Sequence, residues 1–279
     1  MRPSPYPGRE RLPVTSPGGA EGVRERHTDV AGGAIRSWSG GDGPVVVVLH
    51  HSFGNPGWLP FHRELSERST VVAPDLPGFG GSAQPAWARH PRDLALLMGW
   101  WLRAQDFGPV TLVGCGFGGW VAAELSTMSP ELLAGLVLVA PAGLLPKEGR
   151  ILDQILVSHS EYVRAAFEDQ KAYEAVYGTD LTDELLLAWD RNREMTTRVA
   201  WKPYMYNRRL PPLLAHVYVP TLVVAAESDR IIPRSCLEQY VELMPRARFE
   251  IVPNCGHAVD MEQPSVLAGH VAGHLPGAA

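Results

Sequence analysis

Short apolar runs separated by longer amphipathic stretches organise the chain. Residues 45–49, 70–73, 109–113 and 135–139, with Leu222 to Ala226 further on, are almost free of polar alternation, the pattern of strands buried on both faces of a sheet. Arg248 to Val252 reads as another strand. Stretches 58–67, 92–105 and 117–128 instead repeat their apolar residues at helical spacing, and the last ends before Ser129-Pro130. Strands alternating with helices of this length imply a mostly parallel sheet with helices on both faces, an α/β fold. Val23 to Val30 and Ala34 to Trp38, separated by Ala31-Gly32-Gly33, read as an edge hairpin ahead of it. A closing helix is expected near Ser265 to His274.

The rhythm breaks between 147 and 214, where helical patterns at Ile151 to Asp169, Lys171 to Val176 and Asp183 to Val199 follow one another with no strand between. The chain therefore divides into a core of 23–146 with 215–279, and a helical insertion at 147–214. Residues 1–22 are rich in proline, glycine and arginine and lack an apolar run. They read as a disordered leader, neither a signal peptide nor a spanning helix.

Composition narrows the function classes. At 279 residues, 45% hydrophobic and 20% charged, the chain can bury a sizeable core. A formal net charge of -5 with no cluster of lysine and arginine speaks against nucleic-acid partners, and nothing in the chain points to a membrane. Three widely spaced cysteines, Cys115, Cys236 and Cys255, suit a reducing cytoplasm better than a disulfide framework. The histidines away from the motifs below have no metal-ligand spacing, so neither a metal nor another cofactor is expected. Oligomeric state is silent in the sequence.

Three loops carry the candidate chemistry. Val113-Gly114-Cys115-Gly116-Phe117-Gly118-Gly119 has the strand, tight glycine turn and helix of a nucleophile elbow, with Gly116 at the apex where a nucleophile is expected. Downstream, Glu227-Ser228-Asp229 follows one strand and Pro253-Asn254-Cys255-Gly256-His257 follows the next, giving apex, acid and histidine in chain order. Upstream, Leu49-His50-His51-Ser52-Phe53-Gly54 follows a strand, and Asp75-Leu76-Pro77-Gly78-Phe79-Gly80-Gly81-Ser82 follows another.

These motifs together, over roughly Ala34 to Leu275, resemble the α/β-hydrolase superfamily, above all its lidded members that cleave carbon–carbon or ester bonds of small compounds. The resemblance implies an α/β-hydrolase fold with 147–214 as a helical lid. It departs from the family pattern at two places: Gly116 stands for serine, and His51 stands for the glycine of the usual His-Gly loop. It implies His257 as a base oriented by Asp229, backbone amides of Ser52 and Phe117 as oxyanion donors, and His50 as a support of its loop. His51, Trp201 and Tyr204 are candidate substrate-binding residues, the last two in the stretch of the lid expected to face the cleft. Cys115 leaves the turn before the apex and reads as a packed, inert thiol; Asp75 reads as a loop-holding carboxylate and Glu124 as an ordinary helix residue.

Two functions are compatible with this pattern. One is an enzyme without a serine nucleophile that acts on a small apolar ester, lactone or carbonyl compound through His257, Asp229 and the oxyanion amides. The other is a non-catalytic binder of a small apolar molecule. A serine installed at 116 is expected to be reactive if the loops remain aligned.

Overall fold

The computed structural model describes residues 22–31 and 33–277; Gly32 and all of the expected leader but Gly22 lie outside the described residues. The strands are β1 (Arg24–Val30), β2 (Gly33–Gly40), β3 (Val45–Leu49), β4 (Thr70–Pro74), β5 (Val110–Cys115), β6 (Leu133–Val139), β7 (Thr221–Ala226) and β8 (Ala247–Val252). They form one sheet in the order β1-β2-β4-β3-β5-β6-β7-β8. The β1–β2 and β2–β4 pairs are antiparallel, and every pair from β4 to β8 is parallel. Strand order reverses between β3 and β5, so their outgoing loops diverge and leave a crevice at the carboxyl ends of the strands.

Helices α1 (Pro60–Ser66), α2 (Pro91–Gln105) and α3 (Phe117–Met128) cover the sheet, and a 3-10 turn at Pro130–Leu132 leads into β6. Proline in the first turn starts both α1 and α2, where its missing N–H costs nothing. Every residue of β5 is buried, as is most of α3, which explains their continuous apolar sequence: the strand lies inside the sheet, and α3 is packed between the sheet and α2 and α7.

Between β6 and β7 lie α4 (His159–Ala165), α5 (Gln170–Tyr177), α6 (Asp183–Ala200) and α7 (Leu210–Leu214). Ser158, Asp169 and Thr182 cap the first three of these by accepting from Glu161, Lys171 and Leu185 N–H groups. The helix expected over 151–169 is confined to α4. Before it, Leu152 N–H donates to Ile231 O and Gln154 N–H to the Tyr204 hydroxyl, so these backbone groups are spent on neighbours instead of on a helix. After β7 come α8 (Arg234–Leu243), α9 (Val259–Glu262) and α10 (Pro264–Ala272). Among the described residues no helix is long and apolar enough to cross a membrane.

Candidate active site

The crevice forms around the turn from β5 to α3. Gly116 has φ 53° and ψ −111°, a backbone that side-chain-bearing residues adopt only under strain. Its N–H donates to Val139 O at 2.9 Å, and its carbonyl accepts from Ala142 N–H at 3.0 Å. Gly118 is required by close approach, since a Cβ there would lie 2.5 Å from the carbonyl oxygens of Leu49 and His50. The end of β3 thus abuts the start of α3, and Gly118 N–H donates to His50 O at 3.0 Å.

Asp229 and His257 leave the ends of β7 and β8 and meet in front of this turn. Asp229 Oδ1 accepts from Ile231 and Ile232 N–H groups at 2.8 and 2.9 Å, which fixes the carboxylate. Its Oδ2 accepts from His257 Nδ1 at 2.8 Å. The proton on Nδ1 leaves Nε2 as the free lone pair of the neutral ring. Nε2 lies 2.7 Å from the point that a Cβ on Gly116 would occupy.

A second pair faces the first. His51 Nε2 donates to Asp260 Oδ1 at 2.8 Å, and both residues are buried. Asp260 comes from α9, just past His257, and was not among the residues expected at the site. The His51 ring stacks on Phe53 with 4.8 Å between centroids, and it lies 4.9 Å from the His257 ring. Its Nδ1 is buried without a hydrogen-bond partner among the described residues and lies 2.6 Å from the same Cβ point of Gly116. Burial holds the His51 pKa below the ordinary imidazole range, so the ring is neutral and Nδ1 is an acceptor.

Cys115 sits beside this pair, fully buried, and burial pushes its thiol pKa well up. Its Sγ, His51 and Asp260 offer donor atoms within 4.8 Å of one another. That set suits a cation poorly: the carboxylate is engaged with His51, and the thiol is held protonated.

The turn after β3 and the start of α3 each supply one backbone donor. Neither Ser52 N–H nor Phe117 N–H donates to another group among the described residues; the latter is one of the free amides at the start of α3. The turn itself is held from several sides. His50 Nδ1 donates to His51 O at 2.7 Å and His50 Nε2 accepts from Leu76 N–H at 3.0 Å, so this histidine buttresses the loop. From the inserted segment, Asn192 Nδ2 of α6 donates to Phe53 O at 2.8 Å, and Thr196 Oγ1, which donates to Asn192 O at 2.8 Å in the same helix, lies 3.4 Å from Ser52 O. Tyr162 of α4 packs edge-on to Phe53 and shares a 3.3 Å hydrogen bond with Ser52 Oγ.

The two aromatic residues expected to face the cleft are placed elsewhere. Trp201 is 51% exposed and lines an open groove of about 1470 Å³ with His90, Arg92, Lys202 and Arg209, a lining that includes none of His51, Gly116 and His257. Tyr204 shares that groove and directs its hydroxyl to Leu152 O and Gln154 N–H, which ties the start of the insertion to its end. Glu124 is not an ordinary helix residue. Fully buried, it accepts from Arg92 at 2.8 Å, Asn207 at 2.7 Å and Trp120 Nε1 at 3.2 Å, and so joins α2, α3 and the chain ahead of α7. Asp75 holds its loop through Gly81 N–H at 2.7 Å and is paired with buried Arg36, whose Nε lies 2.8 Å away.

Comparison with known proteins agrees with this geometry. The pattern of the alpha/beta hydrolase family matches residues 27–270. The chain is 26% identical over 266 residues to 2-hydroxy-6-oxo-6-(2'-aminophenyl)hexa-2,4-dienoic acid hydrolase of Metapseudomonas resinovorans, covering 88% of each. It is 27% identical over 294 residues to 2-hydroxymuconate semialdehyde hydrolase of Pseudomonas sp. (strain CF600), covering 98% of this chain and 95% of that one. Among solved structures, a membrane phospholipase A described as a bacterial virulence factor superposes with a TM-score of 0.78 at 26% identity, over 90% of this chain and 84% of that one. With the family pattern spanning the core and the inserted segment alike, the chain belongs to the alpha/beta hydrolase family.

Proposed function

We propose that this protein is a hydrolase of small apolar esters, lactones or carbonyl compounds that works without a nucleophilic side chain. In this reading Gly116 stands at the nucleophile position, and His257, oriented by Asp229, is the general base. The amides of Ser52 and Phe117 stabilise the oxyanion, and α4 to α7 form a lid over the site. The observation that carries it is the aim of the dyad: a carboxylate fixed by two amides presents His257 Nε2 2.7 Å from where a Gly116 Cβ would be. The relatives' names add that similar chains hydrolyse unsaturated oxo-acids and a semialdehyde.

The chemistry left to such a site is considerable. A placed general base contributes roughly 10²–10⁴-fold, and each oxyanion donor about 10²–10³-fold. No acyl-enzyme forms, because no side chain attacks. Turnover of a panel of short nitrophenyl esters and lactones, beside a His257→Ala variant of equal thermal stability, tests the reading; loss of the ring is expected to lower the rate by ~10²-fold or more.

One observation favours a second reading, a non-catalytic binder of small apolar molecules: His51 crowds the space in front of Gly116 that a serine side chain needs. A binder does not use the lone pair of His257, so His257→Ala with unchanged ligand affinity and no turnover by either protein would select it.

A further inference from the structure

The His51–Asp260 pair has no part in the base reading, yet it is built like the pair that does. Each ring gives its N–H to a buried carboxylate at 2.8 Å, and each thereby leaves one bare nitrogen. The bare nitrogens lie close to the same place: His51 Nδ1 is 2.6 Å, and His257 Nε2 2.7 Å, from the Cβ point of Gly116. Two hydrogen-bond acceptors thus flank one space, and one of them, His51 Nδ1, is buried without a partner among the described residues. Unmade hydrogen bonds of buried acceptors are costly. A carbonyl oxygen or an anion, having no hydrogen to give, does not relieve this. A molecule with two hydrogens on one small atom does.

We propose that the space beside Gly116 is the binding site of one water molecule, that this water gives its two hydrogens to His51 Nδ1 and His257 Nε2, and that it is the nucleophile of the reaction. His51 is then a second catalytic residue, and Asp260 its positioning partner. The inference rests on the base reading of His257 and deepens it.

The step balances without any further reactant. The water oxygen attacks the carbonyl carbon of an ester, its first proton passes to His257 Nε2, and its second stays hydrogen-bonded to His51 Nδ1. The carbonyl electron pair moves onto oxygen, facing the Ser52 and Phe117 amides. Collapse of the tetrahedral adduct breaks the bond to the alkoxide, which takes the proton back from His257 and leaves as the alcohol. The products are one acid and one alcohol from one ester and one water. Burial keeps His51 neutral, so it holds the water as an acceptor while His257 takes the proton. A side chain at 116 would compete with the water, since its Cβ would lie 2.6 and 2.7 Å from the two nitrogens.

The test combines tautomers, an ordered water and rates. Long-range proton–nitrogen NMR of the uniformly labelled full chain should show His51 protonated at Nε2 and His257 at Nδ1. A high-resolution crystal structure should show one oxygen about 2.8 Å from both bare nitrogens. Nitrogen contacts of about 2.0–2.1 Å would mean a metal ion instead and would overturn the proposal, as would rings turned away from Gly116. With 4-nitrophenyl acetate as probe, Asp260→Asn should shift His51 to the Nδ1-protonated tautomer. It and His51→Gln should each lower kcat roughly 10- to 100-fold, the worth of a hydrogen bond to a developing charge, with KM held. If His257→Ala abolishes hydrolysis while both other variants retain kcat within about twofold, the paired site is wrong and the single base stands. If hydrolysis is indifferent to all three, the base reading itself falls, and the water's role as nucleophile falls with it.

Discussion

Installing serine at Gly116 is the most direct probe of how the site is packed. A Cβ there would lie 2.6 Å from His51 Nδ1 and 2.7 Å from His257 Nε2, where ordinary contact begins near 3.4 Å. The rings must therefore retreat by roughly 0.7–0.8 Å for a van der Waals fit. His51 has little freedom to do so, being hydrogen-bonded to Asp260 on one side and stacked on Phe53. Overpacking of this kind costs about 1–3 kcal/mol, and a side chain at φ 53° with ψ −111° costs about the same again. Gly116→Ser is thus expected to lose about 2–6 kcal/mol, a large part of the ~5–15 kcal/mol of a typical domain. That corresponds to a fall in Tm of roughly 4–15 °C for a chain of this size. Calorimetry of the variant measures it, and a fluorophosphonate reports whether the serine is reactive; labelling should be slow or absent. In the double variant with His51→Gly the closer of the two clashes is removed and only that with His257 remains, so its destabilisation should fall short of the sum of the single effects by about 1–3 kcal/mol, and labelling should increase. A single Gly116→Ser variant that keeps its wild-type Tm and labels rapidly, with additive energies in the double variant, would refute the crowding argument and with it the position assigned to the His51 ring.

Two further outcomes follow from groups buried elsewhere. Arg36→Ala leaves the Asp75 carboxylate buried beside the glycine loop without its cation, and breaking such a pair should cost about 3–5 kcal/mol, read from urea unfolding midpoints. His50 and His62 are both pushed down to about 4 by burial, below the ordinary value of ~6.5. The unfolded chain therefore binds more protons than the folded one between about pH 6.5 and pH 4, and stability should decline as pH falls through that window. The slope reaches roughly 1.4 kcal/mol per pH unit for each ring, and His62→Gln should flatten it; melts with the same pH slope in that variant would contradict the assignment.

The parts of the fold and site that were legible in the sequence are those whose cause is local. Runs such as Val110 to Cys115 are apolar because both faces of the strand are covered, and that leaves a mark a reader can see without coordinates. Gly116, Asp229 and His257 each sit in a loop motif just past a strand, so their meeting was foreseeable from order alone. Asp260 was not, because its bond to His51 joins residues 209 positions apart and neither flanking sequence announces it. The proximity of the acid to His257 in the chain, with a spare histidine at 51, is the signal that was there to be used. Glu124 departs from expectation for a related reason: two of its three donors, Arg92 and Asn207, come from other elements, and a single buried carboxylate in an apolar helix has no periodic signature. Trp201 shows the converse, an aromatic residue in the inserted segment whose size suggested a wall of the active-site pocket but which lines an outer groove of mixed charged and aromatic residues.

The hold of α6 on the turn after β3 has its own consequence. Asn192 donates to the carbonyl of Phe53, and Thr196 lies against that of Ser52, so the position of α6 is tied to the orientation of the peptides next to the Ser52 amide. On the reading of the Ser52 amide as an oxyanion donor, a displacement of α6 would break the Asn192 bond to Phe53 O, and the amide would lose its aim. In that reading a seated α6 and an aimed amide are one and the same state, so a substitution at Asn192, far along the chain from the β3 turn, would act on the amide without touching it.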